Sequence, residues 1–389
     1  MGALLEALWY ARPSLPIILL RTVFAPILWP LSVIFDIGSG FRRSLFKSGG
    51  LPVYRARCPV VIVGNLSVGG TGKTPLVIWL ANILASRDLK VGILTRGYAG
   101  RGRGVQRVVS DSDPRVVGDE AYLLARETRA VVIAAAERSA GAQALEGEGV
   151  DLILSDDGLQ HYALARDLEV VVVDAARGLG NGWLLPAGPL REGRSRLQSV
   201  NWLIWHTAPL TPADADDDGA MSLPSGREAR SNRPPQRLSR RVGDGLGLVL
   251  GDSPRCLEMQ LGAAEPRALI DGRSQPWSAW RGQRVHALAG IGRPERFFSM
   301  LRAAGLSVQS RSFADHHAFT AADMPVDPSV PVLMTSKDAV KCRSFADARM
   351  WEVPVAAHLS PEQGETLIAD IWALYERNTK PKTGITPGS

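Results

Sequence analysis

A glycine-rich turn between a short strand and a helix is the feature that most constrains the fold of this 389-residue chain. Residues 67–74 read SVGGTGKT, after the β-branched run PVVIV at 59–63 and before an apolar segment at 75–87 with helical spacing. Glycines at such a turn let backbone N–H groups close around phosphate, and the positive end of the helix dipole points at the same place. The pattern predicts a P-loop, and therefore an α/β domain that binds a nucleotide.

Each residue of the turn is a candidate phosphate ligand. The set is Ser67, Val68, Gly69, Gly70, Thr71, Gly72, Lys73 and Thr74. Lys73 is expected to reach the β- and γ-phosphates and to act in catalysis, and Thr74 to offer its hydroxyl to Mg²⁺. Ser67 departs from the usual pattern, which has glycine at that position. A turn without a ligand is the alternative, but the strand before it and the helix after it favour the P-loop.

Short apolar runs recur after the P-loop and indicate further strands. They lie at 91–95, 131–135, 151–155, 169–173 and 202–205. Helix-like segments separate most of them, which predicts a P-loop NTPase-like α/β domain with a mostly parallel sheet. A second strand and helix pattern begins at 285–290 and indicates a smaller C-terminal α/β domain.

The predicted organisation has five parts. They are an N-terminal membrane-associated segment at 1–41, the P-loop domain at 42–210, an insertion or linker at 211–244, the smaller C-terminal domain at 245–377 and a tail at 378–389. The insertion is assigned because 211–241 combines several aspartates with a Ser-, Arg- and Pro-rich run and has almost no large apolar residues. Such a composition is typical of flexible chain with solvated charges.

A P-loop needs a carboxylate to hold Mg²⁺, normally at the end of a neighbouring strand. The strand at 151–155 runs into Asp156 and Asp157, of which Asp157 is the first candidate and Asp156 the second. An aspartate pair that caps the following helix is the alternative. Asp174, at the end of the next strand, is a reserve candidate.

Two further polar residues follow strands. Asn65 and Arg96 lie at the strand ends where ligands bind in open α/β sheets, and they are candidate substrate residues. The net charge of +6 suits an anionic ligand. The basic residues lie in loops near glycines and are not interleaved with aromatic residues, so no nucleic-acid partner is predicted.

The first 41 residues contain four charged side chains, and the run at 22–35 is uncharged and mostly apolar. The run is shorter than the roughly 18–20 residues that a spanning helix needs, and Pro26 and Pro30 interrupt it. Basic residues follow it and would place the rest of the chain on the cytoplasmic side: Arg42, Arg43, Lys47, Arg55 and Arg57. We expect membrane attachment, either across the bilayer or along its surface. An ordinary buried helix is the alternative.

Eight motif blocks occur in order along the chain. They are VGNLSVGGTGKTP at 63–75, RGY at 96–98, GDE at 118–120, SDDGLQHY at 155–162, NGWLLPAGPLRE at 181–192, AGIG at 289–292, DH at 315–316 and TSKDAVK at 335–341. In these blocks the chain resembles the tetraacyldisaccharide 4'-kinase family. Two features depart from the family pattern: Ala121 stands where proline is common, and the insertion at 211–241 is long.

The resemblance implies ATP-dependent phosphorylation of the 4'-hydroxyl of a tetraacyldisaccharide 1-phosphate, with lipid IVA as the product and Mg²⁺ as the cofactor. It places catalysis on Asp119, as the proton acceptor, and on His316, which would orient that carboxylate. Taken alone, Asp119 would also fit a helix N-cap, and His316 a hydrogen-bonded loop histidine. His317 is the second histidine candidate.

The resemblance also implies substrate-binding roles for Asn181 and Arg191, and a location at the cytoplasmic face of the inner membrane. The predicted partners are the lipid substrate, ATP and the membrane surface, with no obligate protein partner. A membrane-tethered P-loop NTPase of the switch or chaperone type is the alternative. It predicts a guanine-recognition motif N-K-x-D or clustered Cys and His ligands, and the sequence has neither.

Overall fold

The structure, a computed structural model, describes residues 2–11, 14–98, 100–207, 242–243, 246 and 254–379. The predicted insertion at 211–244 lies outside these residues except for 242–243, and the predicted tail lies outside them except for 378–379. The described residues form two sheets, the helices that cover them, and two N-terminal helices.

The strands are numbered in chain order. They are β1 (Val60–Gly64), β2 (Val91–Thr95), β3 (Val105–Val108), β4 (Val131–Ala135), β5 (Leu152–Asp156), β6 (Leu168–Asp174), β7 (Trp202–His206), β8 (Arg255–Ala263), β9 (Arg267–Ala268), β10 (Arg284–Ala289), β11 (Ser307–Ser312), β12 (Val332–Thr335), β13 (Met350–Val353) and β14 (Val355–His358). The α-helices are α1 (Gly2–Tyr10), α2 (Leu15–Lys47), α3 (Lys73–Ser86), α4 (Pro114–Val117), α5 (Asp119–Glu127), α6 (Arg138–Gly147), α7 (Pro294–Ala303), α8 (Ser336–Cys342) and α9 (Pro361–Thr379).

The first sheet has the strand order β14-β8-β7-β6-β1-β5-β2-β4-β3, and its neighbours are parallel except for the outer pairs β14-β8 and β3-β4. Val61 and Val63 of β1 pack on the face covered by α3, whereas Val60 and Ile62 pack on the other face. Successive side chains of a strand point to opposite faces, so a β-branched run of this kind fits a strand buried on both sides. The parallel order brings the carboxyl ends of β1, β5 and β6 to one edge.

The second sheet has the order β11-β10-β12-β13-β9, in which only β9 is antiparallel. The predicted α/β class, with a mostly parallel sheet and a smaller C-terminal α/β part, is confirmed. The boundary differs from the predicted 245–377, because β8 and β14 extend the first sheet and α9 packs into its core. Edge pairing depends on tertiary neighbours that a local pattern does not encode. We call 267–353 the second unit and the rest the first unit.

The apolar N-terminal run forms one helix, α2, which continues through Pro26 and Pro30. Its 33 residues exceed the predicted run, and the helix is long and apolar enough to cross a membrane by length and composition. Ser32 is buried on this helix. Its hydroxyl donates to Leu184 O (2.8 Å) and accepts from Ala187 N (2.9 Å), so α2 is fastened to the loop after β6.

Helix α1 contacts the P-loop, and α2 contacts α1. Leu8 of α1 is buried, and the Tyr10 hydroxyl donates to Val68 O at 3.4 Å. Arg21 of α2 donates to the carbonyl oxygens of Leu8 (2.9 Å) and Ala11 (3.0 Å). A cation in the apolar segment therefore satisfies the free carbonyls at the end of α1.

A buried ion cluster joins the two units. Arg126 and Glu127 at the end of α5 meet Arg267 of β9 and Glu352 of β13. Glu352 is fully buried and accepts from Arg126 Nη2 (2.7 Å) and Arg267 Nε (2.6 Å). The helix that begins at Asp119 is thereby anchored to the second unit at its other end.

Replacing Glu352 by glutamine is expected to lower the free energy of unfolding by about 3 kcal/mol, because Arg126 and Arg267 would then share only the Glu127 carboxylate. Denaturant-induced unfolding measures the effect. The matched control is Glu365→Gln, which removes the exposed ion pair with Arg87 and should cost less than about 1 kcal/mol. Equal, small losses for both variants would contradict a structural role of the cluster.

Candidate active site

The P-loop lies at the carboxyl edge of the first sheet, between β1 and α3. Gly69 and Gly72 have positive φ angles of 104° and 95°, a backbone conformation that other residues rarely adopt. A Cβ on Gly72 would also lie 3.3 Å from Leu261 Cδ1 and 3.4 Å from His206 Nδ1. Glycine is therefore required at this turn, and the free N–H groups of the first turn of α3 follow directly.

The segment 189–191 fixes the start of the P-loop. Val68 N donates to Pro189 O (2.9 Å), and Arg191 N donates to Leu66 O (2.7 Å). Ser67 pairs with Leu190 in an isolated bridge. Of the predicted phosphate ligands, the residues from 69 to 74 line the cavity described below, whereas Ser67 and Val68 pair with this segment.

His206 supports the P-loop from the end of β7. Its Nδ1 lies 3.0 Å from Thr71 O, so the ring donates to that carbonyl from Nδ1. Burial lowers the pKa of His206 to about 4, which keeps the ring neutral near pH 7. His206 was not a predicted site residue.

Asp157 lies between two cations. Its carboxylate is 3.4 Å from Lys73 Nζ and 2.9 Å from Arg191 Nη1. Burial acts to raise the pKa of Asp157, but the charges of Lys73 and Arg191 outweigh it and hold the pKa well below its usual range. Asp157 has a positive φ of 49°, which turns the chain sharply after β5.

Asp156 differs from its neighbour. It is almost fully buried, and burial, together with the nearby Glu120 carboxylate, raises the pKa of Asp156 to about 7. Its Oδ1 has no hydrogen-bond partner in the described part of the chain. A buried carboxylate oxygen without a partner at the edge of a P-loop fits a place for a cation.

Glu120 and Lys337 form an ion pair across the units, from α5 to α8. The Lys337 ammonium holds the pKa of Glu120 below its usual range. Burial acts to lower the pKa of Lys337, but the Glu120 carboxylate outweighs it and raises that pKa. Both side chains line the same cavity as the P-loop.

Asp119 and His316, two of the three predicted catalytic residues, come together although 197 positions separate them. Asp119, the first residue of α5, has Oδ2 3.5 Å from His316 Nδ1 and 3.3 Å from Lys341 Nζ. His316 has a positive φ of 60°, and its N–H donates to Gly290 O at 3.1 Å. His316 lines the cavity, whereas Asp119 lies beside it outside the lining residues.

The second histidine candidate has partners of its own. His317 Nε2 lies 3.3 Å from Asp323 Oδ2, and its ring stacks on Phe313 with centroids 4.6 Å apart. His317 is not among the lining residues of the cavity. The geometry therefore separates it from the pair formed by Asp119 and His316.

The predicted substrate residues fall in different environments. Arg96 and Arg191 line the cavity. Asn65 is fully buried, and its Nδ2 donates to Ser67 O at 2.5 Å, so it holds the start of the P-loop. Asn181 donates to Ala187 O at 2.9 Å within the loop that holds α2. Neither asparagine lines the cavity.

One cavity of about 1520 Å³ is lined by residues of both units. Its wall includes Lys73 and Asp157 of the first unit and His316 of the second unit. Phe35 and Arg42 of α2 line it as well. A single space therefore connects the phosphate-binding turn, the histidine of the other unit and the apolar N-terminal helix.

Comparison with known proteins assigns the family. The family model described as tetraacyldisaccharide-1-P 4'-kinase matches residues 24–372. The chain belongs to this family. It is similar to the tetraacyldisaccharide 4'-kinase of Aromatoleum aromaticum, with 45% identity over 350 residues that cover 90% of this chain and 94% of that protein. It is also similar to that of Pseudomonas aeruginosa, with 41% identity over 341 residues that cover 86% and 90%.

A solved structure agrees with the family. The crystal structure of LpxK from Aquifex aeolicus in complex with ATP has a TM-score of 0.70 and 25% identity, and the match covers 92% of this chain and 99% of that one. Membership of the tetraacyldisaccharide-1-P 4'-kinase family does not favour the alternative of a switch or chaperone NTPase.

Several polar residues in or beside the cavity were not predicted. Lys337 and Lys341 lie in the TSKDAVK block, so the motif was a signal for them. Arg293 follows the AGIG block directly, and Arg296 comes one turn of α7 later. His206 lies outside every block that carries the resemblance to the family, and the local sequence holds no signal for it.

Proposed function

We propose that this chain transfers the γ-phosphate of ATP to the 4'-hydroxyl of a tetraacyldisaccharide 1-phosphate and so forms lipid IVA in lipid A biosynthesis. The observation that carries the proposal is the cavity shared by the P-loop, His316 and α2. A kinase needs the nucleotide phosphates and the proton acceptor in one space, and an acylated acceptor needs an apolar surface beside it. Family membership gives the reaction its substrate class.

The P-loop residues that line the cavity have distinct roles in the proposal. Backbone N–H groups from Gly69 to Thr74 bind the phosphates, and Lys73 contacts the transferring group. The ion pair with Asp157 positions the Lys73 ammonium before the nucleotide arrives. Arg191, on the other side of Asp157, stabilises that carboxylate and faces the cavity.

The residues present fit Mg²⁺. Thr74, Asp156 and Asp157 would hold it, with Asp156 Oδ1 as the buried oxygen that lacks a partner among the described residues. No group of three or more His, Cys, Asp or Glu side chains that could hold a metal occurs in residues the structure describes, so phosphate oxygens and water would complete the ligand set. Bound Mg²⁺ would supply charge neutralisation between the β- and γ-phosphates.

Asp119 and His316 are proposed to take the proton of the acceptor hydroxyl as a pair. His316 is the member on the cavity wall, whereas the family resemblance implied that Asp119 accepts the proton directly. A carboxylate 3.5 Å from one ring nitrogen orients the imidazole for this proton transfer. The Lys341 ammonium, with Nζ 3.3 Å from Asp119 Oδ2, holds that carboxylate in position.

The acceptor would enter between α2 and the second unit. Phe35 offers an apolar wall for acyl chains, while Arg42 and Arg96 offer cations for the 1-phosphate. Asn65 and Asn181 would act on the substrate only through the loops that they hold. No protein or nucleic-acid partner is part of the proposal.

We assign the protein to the cytoplasmic face of the inner membrane, with α2 as the attachment. Its exposed apolar side chains are Leu15, Ile18, Leu19, Val23, Ile27, Trp29, Leu31, Val33, Ile34, Phe35, Ile37 and Phe41. Basic residues that follow, Arg42, Arg43 and Lys47, would contact anionic headgroups.

The attachment can be tested by a double substitution, Ile27→Asp with Ile34→Asp. Both side chains are about two-thirds exposed, so the fold should tolerate the change while vesicle binding falls by about tenfold or more. Cosedimentation with anionic vesicles measures it, and Ile270→Asp, in the second unit, is the matched control. Unchanged cosedimentation of the double variant would contradict attachment by this face. Deleting residues 1–38 is less specific, because it also removes Ser32 and the contact of α1 with the P-loop.

The reaction is tested with purified protein, γ-labelled ATP and tetraacyldisaccharide 1-phosphate in detergent. Label is expected in the lipid fraction, dependent on Mg²⁺. A folded protein that hydrolyses ATP without labelling the lipid would contradict the proposal and favour the switch or chaperone alternative.

A further inference from the structure

Two arginines of the second unit reach the first unit beside the P-loop. Arg293 and Arg296 lie at the start of α7, and both contact the carboxylate of Asp174 at the end of β6. Arg293 Nη2 also lies 3.4 Å from Gly70 O. The contact therefore spans the gap between the units at the middle of the phosphate-binding turn.

The charges at this contact do not balance. Two guanidinium groups share the carboxylate of Asp174, which is 3% exposed and also accepts from Ala176 N at 3.0 Å. Both arginines line the cavity, with side chains 20% and 33% exposed. One positive charge in excess therefore faces the cavity next to Gly70, and a phosphate anion is the ligand chemistry that this arrangement fits.

We propose that Arg293 and Arg296 bind the β- and γ-phosphates of the nucleotide, and that Asp174 holds their guanidinium groups in place before the nucleotide arrives. The inference rests on the proposed function for its ATP site and adds ligands from the second unit. Gly70 is in the part of the turn whose backbone surrounds these phosphates, so a guanidinium 3.4 Å from its carbonyl oxygen is within reach of them.

The origin of the two arginines gives the contact a second effect. They belong to the unit that carries His316, whereas Lys73 and Thr74 belong to the other unit. Phosphates bound by both sets would connect the units directly. Nucleotide binding would thereby favour the arrangement of the two units in which His316 faces the γ-phosphate. ATP bound first would then assist formation of the acceptor site.

Calorimetric titration without lipid tests the proposal, using ATP and AMP, each with Mg²⁺. Arg296→Ala is expected to weaken ATP binding by about tenfold or more, since a charge-assisted contact to phosphate is lost, and to change AMP binding little because AMP lacks both terminal phosphates. Arg296→Lys keeps a charge for Asp174 but loses the forked donor geometry, so a smaller loss for ATP is expected. Arg293→Lys should behave in the same way.

Arg302→Ala is the matched control, because it removes a half-exposed arginine from the last turn of the same helix. It should leave ATP and AMP binding unchanged. If Arg296→Ala fails to fold, Arg296→Lys decides the test. ATP affinity at the wild-type level in both lysine variants, or an equal loss for ATP and AMP, would overturn the proposal.

The outcome is distinguishable from failure of the proposed function. ATP binding that depends on Arg296, in a protein that never labels the lipid, would overturn the proposed function and support the phosphate contact. Normal lipid labelling with ATP binding that is independent of both arginines would overturn the phosphate contact alone.

Discussion

Lys73→Ala is expected to reduce phosphate transfer to the lipid by about 10²–10³-fold, because the ammonium contacts charge that develops at the transferring group. Lys73 is the first residue of α3, and its Nζ is already held 3.4 Å from Asp157. The fold should survive, because Asp157 keeps its contact with Arg191 at 2.9 Å. Rates of label transfer at saturating lipid measure the effect.

The control for Lys73 is Lys90→Ala, which removes the same charge at an exposed position that bonds to Glu148 O, away from the cavity. Its rate should stay at the wild-type level. A Lys73 variant that transfers phosphate as fast as the Lys90 variant would contradict the P-loop assignment. Thr74→Ala should show a loss that added Mg²⁺ partly restores, since its hydroxyl is assigned to the metal.

Asp119→Asn and His316→Ala are each expected to reduce transfer by about 10²–10⁴-fold, the usual contribution of a positioned proton acceptor. Both variants should still bind ATP, because the P-loop and its supports are untouched. The double variant should lose little more than either single variant, because the two side chains act on one proton as a unit. Single-turnover rates measure the step directly.

His317→Ala provides the matched histidine control. His317 bonds to Asp323 and stacks on Phe313 outside the cavity, so its loss should leave the transfer rate near that of the wild type. A large loss from His317→Ala with normal transfer by His316→Ala would reverse the assignment. Near-normal transfer by Asp119→Asn would instead make Asp156 the next carboxylate to test as the proton acceptor.

The local sequence correctly predicts those elements whose structure depends on residues nearby in the chain. The run at 131–135 forms β4 as predicted, and the glycine-rich turn follows β1 and leads into α3, which begins at Lys73. The N-terminal helix was underestimated, because Pro26 and Pro30 suggested interruptions, whereas α2 continues through both and is fastened by Ser32 to residues more than 150 positions away.

In the candidate site, too, contacts between residues far apart in the chain are the ones that the local sequence does not predict. The pairing of Asp119 with His316 could be predicted only from the family resemblance, since neither residue alone differs from an ordinary polar residue. Support from His206 to Thr71, 135 positions apart, had no local signal. The arginine contacts to Asp174 likewise depend on how the second unit packs on the first. The hydrophobic periodicity of the sequence does not predict that packing.

The position of the new phosphate tests the central claim most directly. Lipid product made by the wild-type protein from tetraacyldisaccharide 1-phosphate and ATP would be purified and examined by phosphorus and proton NMR. The account predicts two phosphates per disaccharide, the added one on the 4'-oxygen. A product with the phosphate on another hydroxyl, or as a diphosphate on the existing 1-phosphate, would contradict it.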